Sequence, residues 1–352
     1  MNYFLPAISA FVLTLLSVLI ALKVFPKLGL VDKPEKYGLK RKAIPYPGGF
    51  LLYLIFLILA LIFFEPTLKL IGLLVGGGIL VIISFLDDRL ELPAWLRLGV
   101  QIIVALIMVV VGIGVETITN PFGGYIALNQ FKFILQFGNT TTTIMALSGL
   151  FTVAWILLIV NTMNWLDGIP GMTSGITVIG GLTLFFLSIS DIVNQPEVAT
   201  LAIIVAMIAF AFWIFDFYPP KIIIGDSGSM FFGLLLAVLA IFSGGKIATA
   251  FLILGFPILD AIYVIIYRIY KKQAPWKGGE WDKYRKAVHL HHRMLQFGLN
   301  ERQVLGLIYL LCAAFGITAL FLGTQGKFWA IVIIAFLSLV ISLVLRAKGK
   351  RK

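Results

Sequence analysis

Residues 70–89 read LIGLLVGGGILVIISFLDDR, a long apolar run that ends in two aspartates and an arginine. A run of this length predicts a helix that crosses a bilayer, because a transmembrane helix needs about 20 mostly apolar residues. Similar apolar runs recur along the whole chain. They predict eleven helices, near residues 4–25, 49–64, 70–86, 95–114, 144–160, 174–190, 199–217, 229–243, 248–268, 304–322 and 327–345.

The composition supports a membrane protein. Of the 352 residues, 60% are hydrophobic and 12% are charged, and the mean hydropathy is +1.03. These values exclude an ordinary soluble domain. Residues 3–22 lack a small-residue cleavage pattern and are read as a retained helix, not a signal peptide. The sequence therefore predicts an all-α polytopic integral membrane protein with ten or eleven transmembrane helices in one domain, residues 1–352.

The basic residues predict how these helices are oriented. With the N-terminus outside, all but four of the 28 Lys and Arg residues lie at or near the cytoplasmic face, as the positive-inside rule requires. The four exceptions are Lys69, Lys132, Lys246 and Lys327. The net charge of +12 is thus assigned to membrane orientation and not to nucleic-acid binding. The longest outer loop, residues 115–143, alternates apolar and polar residues around residues 121–124 and predicts a short hairpin.

Charged residues in membrane-spanning segments mark candidate functional sites, and four polar clusters qualify. The first is Asp87 and Asp88 at the end of the third helix. Neighbouring residues diverge by about 100° around a helix, so one carboxylate can face a metal or phosphate while the other faces a positive partner. The alternative is that an Asp pair followed by Arg89 simply ends a helix.

The second cluster spans residues 161–171, NTMNWLDGIPG, at the end of the fifth helix. Asn161 and Asn164 share one helix face, and amide groups can offer oxygen to Mg²⁺ or nitrogen to phosphate. Asp167 and Gly168 follow in a predicted tight loop. An ordinary helix end rich in Asn and Asp is the alternative.

The third cluster, residues 225–229, reads GDSGS directly before the eighth predicted helix. Asp and Ser are good helix N-caps, and that alone could explain them. A glycine-flanked helix start also exposes backbone N–H groups that bind phosphate, with Asp226 placed to hold a bridging metal.

The fourth cluster, residues 285–293, reads RKAVHLHHR and contains all three histidines of the chain. Its basic residues would repel a transition metal, and the single cysteine, Cys312, completes no thiolate site. Phosphate binding is favoured, with an interfacial basic loop as the alternative. The candidates for this contact are Arg285, His289, His291, His292 and Arg293.

These clusters resemble the motifs of the polyprenyl-phosphate N-acetylhexosamine-1-phosphate transferases, of the glycosyltransferase family 4 type. Asp87-Asp88 looks like the family's Asp-Asp motif, residues 161–168 like Asn-x-x-Asn-x-x-Asp-Gly, and residues 225–229 like Gly-Asp-x-Gly-Ser. His-Leu-His-His at 289–292 is similar to the UDP-N-acetylglucosamine branch, whereas the muramoyl-pentapeptide branch carries consecutive histidines. Residues 31–49 look like the family's first cytoplasmic loop.

The resemblance implies transfer of an N-acetylhexosamine-1-phosphate, in particular N-acetylglucosamine-1-phosphate, from a UDP-sugar to polyprenyl (undecaprenyl) phosphate. This is the first membrane step of cell-envelope glycan synthesis, at the cytoplasmic face of the plasma membrane, with Mg²⁺ as cofactor and Mn²⁺ as a substitute. The muramoyl-pentapeptide-phosphate transferase reaction is an alternative, and a homodimer is left open. The implied catalytic residues are Asp87, Asp88, Asp167 and Asp226. The implied metal ligands are Asp226 and Asn164. The implied substrate contacts are Asn161, Asn164, Gly168, Arg285, His289, His291, His292 and Arg293.

The resemblance also implies a groove for the lipid tail along the ninth helix, where Pro257 predicts a kink. Pro170 replaces an Asp that many members use for uracil recognition. Two alternatives come from other classes. A transporter would need polar groups near the bilayer midplane, for which Asp260 is the candidate. A lipid phosphatase could use the histidines, but would leave the Asp and Asn motifs without a role.

Overall fold

The computed structural model of the chain describes residues 2–37, 41–137, 140–191, 193–243, 247–270, 272 and 289–349. It is an all-α bundle, as predicted. The helices are α1 Phe4–Val24, α2 Gly48–Phe63, α3 Leu68–Leu90, α4 Ala94–Val110, α5 Ala146–Leu166, α6 Met172–Ile189, α7 Pro196–Asp216, α8 Gly225–Phe242, α9 Ile247–Ile253, α10 Gly255–Tyr270, α11 Leu290–Phe297, α12 Glu301–Phe321 and α13 Thr324–Gly349. Two short 3₁₀ turns, Pro26–Leu28 and Pro34–Tyr37, precede α2.

Each predicted transmembrane helix has a counterpart in the bundle. In the described part of the chain, eight helices are long and apolar enough to cross a membrane, and nine if the bent pair α9–α10 counts as one. Helices α2 and α4 are also apolar but have only 16 and 17 residues. The chain is therefore a multi-pass membrane protein, while the number of crossings and the outside position of the N-terminus stay predictions.

The ninth predicted helix is broken and not merely kinked. Helices α9 and α10 meet at an angle of 84° around Leu254. Pro257 lies three residues further on, and its ring clashes with the carbonyl of the residue four positions earlier. That residue is Ile253, where α9 ends. The predicted position of the bend near Pro257 was therefore correct, but the prediction of one continuous helix over residues 248–268 was wrong.

The connection between α4 and α5, which is predicted to lie outside, contains the predicted hairpin and a second one. Strands β1 Thr117–Thr119 and β2 Tyr125–Ala127 pair in antiparallel fashion around residues 120–124. Strands β3 Lys132–Phe137 and β4 Thr140–Met145 form the second antiparallel hairpin. Because β4 runs directly into α5, this helix begins at Ala146, two residues after its predicted start.

Helix α8 lies at the centre of the bundle, and almost all of its side chains are buried. It packs against α2, α3 and α5. The Phe231 ring illustrates this packing, because its centroid lies 5.5 Å from those of Tyr53 and Phe56 on α2. The first turn of α8 is consequently enclosed by the ends of the surrounding helices.

Candidate active site

The loop before α2 is joined to the segment before α8 by backbone hydrogen bonds. The Gly48 N–H donates to the Ile223 carbonyl at 2.8 Å, and the Gly49 N–H donates to the Ile224 carbonyl at 2.9 Å. The two helix starts are in direct backbone contact, since a Cβ on Gly49 would lie 2.0 Å from the Gly228 nitrogen. Only glycine at position 49 allows this approach, which fixes the first turn of α8 against α2.

The GDSGS motif forms that first turn. Helix α8 begins at Gly225, four residues before its predicted start, so the expectation that the motif precedes the helix was wrong. Gly225 has φ +74°, and a Cβ there would lie 2.5 Å from the Tyr46 ring. The reason is local: a glycine can take this left-handed conformation and leave room for an aromatic side chain at no steric cost.

Three carboxylates from α3 and α8 surround one arginine from α4. Arg97 Nη1 donates to Asp87 Oδ2 at 2.7 Å and lies 3.7 Å from Asp226 Oδ2. The Asp87 side chain is 7% exposed, whereas the Asp226 side chain is 35% exposed and opens to solvent. Asp88, the third carboxylate, is close enough to Asp226 to interact electrostatically. When all three carboxylates are ionised, their charge exceeds that of Arg97, so a bound cation would relieve their mutual repulsion.

Asp87 and Asp88 face different partners, as their spacing predicted. Asp87 is paired with Arg97, while Asp88 interacts with the Tyr46 hydroxyl. The second oxygen of Asp88, Oδ2, is buried and has no hydrogen-bond partner among the described residues. Burial, and then the charges of Asp88 and Asp226, raises the pKa of Tyr46 far above its usual value. The phenol therefore stays protonated and is available as a donor.

Asn161 and Asn164 lie on α5, which continues to Leu166. Asn164 Nδ2 donates to Ser229 Oγ at 3.2 Å, and the Asn164 side chain also interacts with Asp226. Asn161 lies one turn deeper, and its Nδ2 donates to Gln101 Oε1 at 2.7 Å. The structure thus brings Asn164 to the carboxylates directly and connects Asn161 to α4.

Asp167 follows α5, and its Oδ1 accepts a hydrogen bond from the Thr173 hydroxyl at 3.2 Å. Burial, and then the carboxylates of Asp216 and Asp226, raises the pKa of Asp167 well above its usual range. Asp216 itself is fully buried and accepts hydrogen bonds from the Gly171 N–H at 3.1 Å and the Ser174 hydroxyl at 2.7 Å. These contacts hold the loop after Asp167 against α7.

The histidine cluster meets this same loop. A Cβ on Gly168 would lie 2.4 Å from His291 Nε2 and 3.2 Å from His292 Cε1. His291 is 1% exposed, and neither ring nitrogen has a partner among the described residues. Burial, and then the neighbouring histidines, lowers the pKa of His291 well below its usual value, and the pKa of His292 is lowered mainly by burial. Both rings are therefore neutral at physiological pH.

His289 is oriented by Asp260, which the sequence suggested only as the midplane group of a transporter. Its Nδ1 lies 3.0 Å from Asp260 Oδ2, and the Leu290 N–H donates to Asp260 Oδ1 at 2.9 Å. Asp260 thus caps the start of α11. The guanidinium of Arg293 lies 4.6 Å from the ring centroid of Tyr263 on α10. Arg285, the remaining predicted contact, lies outside the described residues.

The donor set fits Mg²⁺. Within the described ranges, no group of three or more His, Cys, Asp or Glu side chains is arranged to hold a metal. Mg²⁺ does not need one, because it keeps several waters and is bound through one or two carboxylates plus substrate phosphates. The partly exposed carboxylate of Asp226, the amide of Asn164 and the unpartnered buried oxygen of Asp88 are ligands of that type.

Several residues of this site were not singled out from the sequence. They are Tyr46, Arg97, Gln101 and Asp216. Arg97 is one of 28 basic residues, and Gln101 lies inside an apolar helix. For Arg97 and Gln101 the sequence does contain a signal, because residues 97 and 101 are one turn apart and share a helix face. Two polar residues on one face of a membrane-spanning helix indicate an interior polar contact.

Comparison with known proteins gives consistent results. The model of "Glycosyl transferase family 4" matches residues 70–244, which include the carboxylates and both asparagines of the site. A probable undecaprenyl-phosphate N-acetylglucosaminyl 1-phosphate transferase of Bacillus subtilis (strain 168) is 29% identical over 97% of this chain and 91% of that protein. A decaprenyl-phosphate N-acetylglucosaminephosphotransferase of Mycobacterium leprae is 28% identical over 81% of this chain and 74% of its own length. The undecaprenyl-phosphate alpha-N-acetylglucosaminyl 1-phosphate transferase of Escherichia coli (strain K12) is 27% identical over 89% and 82%.

Proposed function

Because the chain belongs to glycosyl transferase family 4, we propose that it transfers N-acetylglucosamine-1-phosphate from UDP-N-acetylglucosamine to a polyprenyl phosphate. The products are polyprenyl-diphosphate-N-acetylglucosamine and UMP. The observation that carries this proposal is the convergence of Asp87, Asp88 and Asp226 around Arg97, with Asn164 beside them. Such a cluster of oxygen ligands suits a reaction between two anions that needs a bound cation.

In this reaction an oxygen of the lipid phosphate attacks the phosphorus that bears the sugar, and the bond from that phosphorus to UMP breaks. The bond between C1 of the sugar and its oxygen is untouched, so the anomeric configuration is retained. A phosphate monoester has a second pKa of about 6, so the acceptor is largely dianionic at neutral pH and needs no general base. Catalysis then depends mainly on alignment and electrostatics.

The residues of the site divide this work. Asp226 and Asn164 would hold Mg²⁺, which when bound neutralises charge on the donor pyrophosphate. Arg97 fixes the Asp87 carboxylate and leaves Asp88 to face the reacting groups. The neutral imidazoles of His291 and His292 lie against Gly168 and can donate or accept hydrogen bonds at the sugar-phosphate side. A covalent phosphosugar intermediate on an Asp is the competing route and predicts exchange of labelled UMP into UDP-sugar without lipid.

The transporter reading loses its main support. Asp260 was its candidate group near the midplane, and this carboxylate instead binds His289 and the start of α11. The lipid phosphatase reading leaves the carboxylate cluster without a role. We therefore place the reaction in the phosphotransferase class, with a UDP-sugar and a polyprenyl phosphate as substrates.

The deciding experiment is mass spectrometry of the lipid product. Purified protein is incubated with Mg²⁺, polyprenyl phosphate and a panel of UDP-sugars that includes UDP-N-acetylmuramoyl-pentapeptide. The expected product carries N-acetylglucosamine-1-phosphate and disappears when EDTA is added. A pentapeptide-bearing product would move the protein to the muramoyl branch, and unchanged yield in EDTA would contradict the metal-dependent mechanism.

The metal ligand is tested by Asp226→Ala at saturating Mg²⁺. Turnover should fall by at least about 100-fold, because even changes to groups that only support metal ligands cost about 10- to 100-fold. Asp191→Ala is the matched control, since it removes an exposed carboxylate beyond the far end of α6. Near-normal turnover of the Asp226 variant would contradict the ligand role.

We also propose that the site faces the cytoplasm of a cell with the N-terminus outside, as the basic residues suggest. The single cysteine, Cys312, is buried, so single-cysteine variants can be labelled selectively after Cys312→Ala. An impermeant maleimide should label Gly124→Cys in intact cells and Arg89→Cys only after permeabilisation. The reverse pattern would invert the proposed topology.

A further inference from the structure

A buried polar layer lies beneath the carboxylate cluster and connects four helices. Gln101 on α4, only 4% exposed, accepts a hydrogen bond at Oε1 from Asn161 Nδ2 at 2.7 Å. Gln101 Nε2 lies 3.7 Å from the sulfur of Met230 on α8, to which it donates. The Ser84 hydroxyl of α3 donates to the same sulfur at 3.2 Å. A buried amide in an apolar helix is costly unless it is bonded in this way, which indicates a specific role for Gln101.

This layer determines which atom Asn161 offers to a ligand. Besides Gln101, the Asn161 nitrogen also donates to the Leu157 carbonyl at 2.8 Å. A backbone carbonyl only accepts, so the amide nitrogen and not the oxygen must face it. Both N–H bonds of the Asn161 amide are therefore used. Its oxygen, Oδ1, has no donor bonded to it in the described part of the chain.

Asn164, one turn closer to the carboxylate cluster, also uses its amide nitrogen to bond to the protein. Asn164 shares a helix face with Asn161, and its nitrogen donates to Ser229 Oγ at 3.2 Å. Both amide nitrogens thus bond to the protein, and both residues are only partly buried. The Asn164 side chain also hydrogen-bonds to Asp226, whose ionised carboxylate only accepts, so the amide oxygens of both residues are the atoms left for a ligand.

We propose that Gln101 is a positioning residue that holds the Asn161 amide with its oxygen toward the substrates. Asn161 then accepts a hydrogen bond from a sugar N–H or O–H group, or binds the cation, and it does not bind phosphate through its N–H groups. This inference rests on the proposed transferase function. An amide at this position could bind phosphate through its nitrogen or bind a cation or donor through its oxygen. The inference selects the oxygen.

The test is a double-mutant cycle measured as kcat/KM for UDP-N-acetylglucosamine. Gln101→Met removes the acceptor with little change in volume, and should lower kcat/KM about fivefold to tenfold, the size of one buried hydrogen bond. In the Asn161→Ala background the same change should have almost no further effect, because Gln101 acts through Asn161. Gln101→Glu, which keeps an acceptor oxygen, should recover most of the loss. Thr183→Val removes a buried hydroxyl on α6 that donates to Ile179, and should match the wild type.

Two further measurements identify the ligand of the Asn161 amide oxygen, which is either the sugar or the cation. Weaker Mn²⁺ binding in Gln101→Met, measured by electron paramagnetic resonance without substrate, would assign Asn161 to the cation. A higher KM for the UDP-sugar at unchanged Mn²⁺ affinity would assign it to the sugar. Full additivity in the cycle, or a rise in KM for polyprenyl phosphate alone, would overturn the inference. Absence of product from the wild-type protein would instead contradict the proposed function itself.

Discussion

Arg97 competes with the metal for the site, and its removal should strengthen metal binding. Its Nη1 lies 3.7 Å from Asp226 Oδ2, the carboxylate proposed to hold Mg²⁺, and 2.7 Å from Asp87 Oδ2. In the absence of metal the guanidinium is therefore the counter-charge of both groups. We expect Arg97→Gln to bind Mn²⁺ more tightly than the wild-type protein, although catalysis with the altered Asp87 should be slower.

The distance sets the size of this effect. Coulomb's law gives about 1 kcal/mol for unit charges near 4 Å in water and about 4 kcal/mol at an effective dielectric constant of about 20. The Asp226 side chain is 35% exposed and that of Arg97 is 25% exposed, which favours the lower part of this range. A competing interaction of about 1.4 kcal/mol corresponds to a tenfold change in the dissociation constant. We therefore expect the Mn²⁺ dissociation constant to fall about tenfold.

The assay is titration of purified protein with Mn²⁺ at fixed low ionic strength, with free Mn²⁺ measured by electron paramagnetic resonance. Arg89→Gln is the matched control, because Arg89 carries the same charge at the end of α3 but lies over the Phe85 ring at 5.6 Å. Raising the salt concentration should reduce the difference between the variants. Unchanged or weaker binding in Arg97→Gln, or equal gains in both variants, would refute the reasoning.

Three further predictions concern stability, each measured as the unfolding temperature in detergent. The lowered pKa of His291 means that the unfolded chain takes up a proton near pH 6.5 before the folded protein does; stability should therefore fall as the pH drops below about 6.5, and His291→Gln should reduce this slope. Gly49→Ala should cost about 3 kcal/mol or more because its Cβ would lie 2.0 Å from the backbone of α8, whereas Gly99→Ala, with no atom within 4 Å, should be nearly neutral. Asp216→Ala should cost about 1 to 3 kcal/mol, because it leaves the buried Gly171 N–H without an acceptor, while the Ser174 hydroxyl can still donate to the Gly171 carbonyl; a variant as stable as the wild type would show that water replaces the carboxylate.

The helices could be predicted because each one is long, apolar and bounded by polar residues. Their ends were less predictable where backbone contacts decide them. The start of α8 at Gly225 is an example, since the loop before α2 bonds to the two residues that directly precede it, 223 and 224. A contact between segments about 175 residues apart leaves no local signal at either position.

The site residues likewise include some that the sequence predicts and some that it does not. The motif residues Asp88, Asn164 and Asp226 could be proposed from their residue types, since hard oxygen ligands at one end of a bundle indicate a cation. The spacing of Arg97 and Gln101 indicates only that they share a polar helix face; their partners on α3, α5 and α8 are fixed by packing and could not be predicted. The fate of Asp260 likewise depended on tertiary structure, which alone could bring it to the start of α11.

The close approach of α2 and α8 has an electrostatic consequence. The two helices begin side by side, and the aligned peptide dipoles give each helix start about half a unit of positive charge. Two such ends side by side repel each other, so negative groups are needed nearby to keep them together. The aspartates that gather metal and substrate would therefore also stabilise this junction, and neutralising Asp226 should loosen the fold as well as slow the reaction.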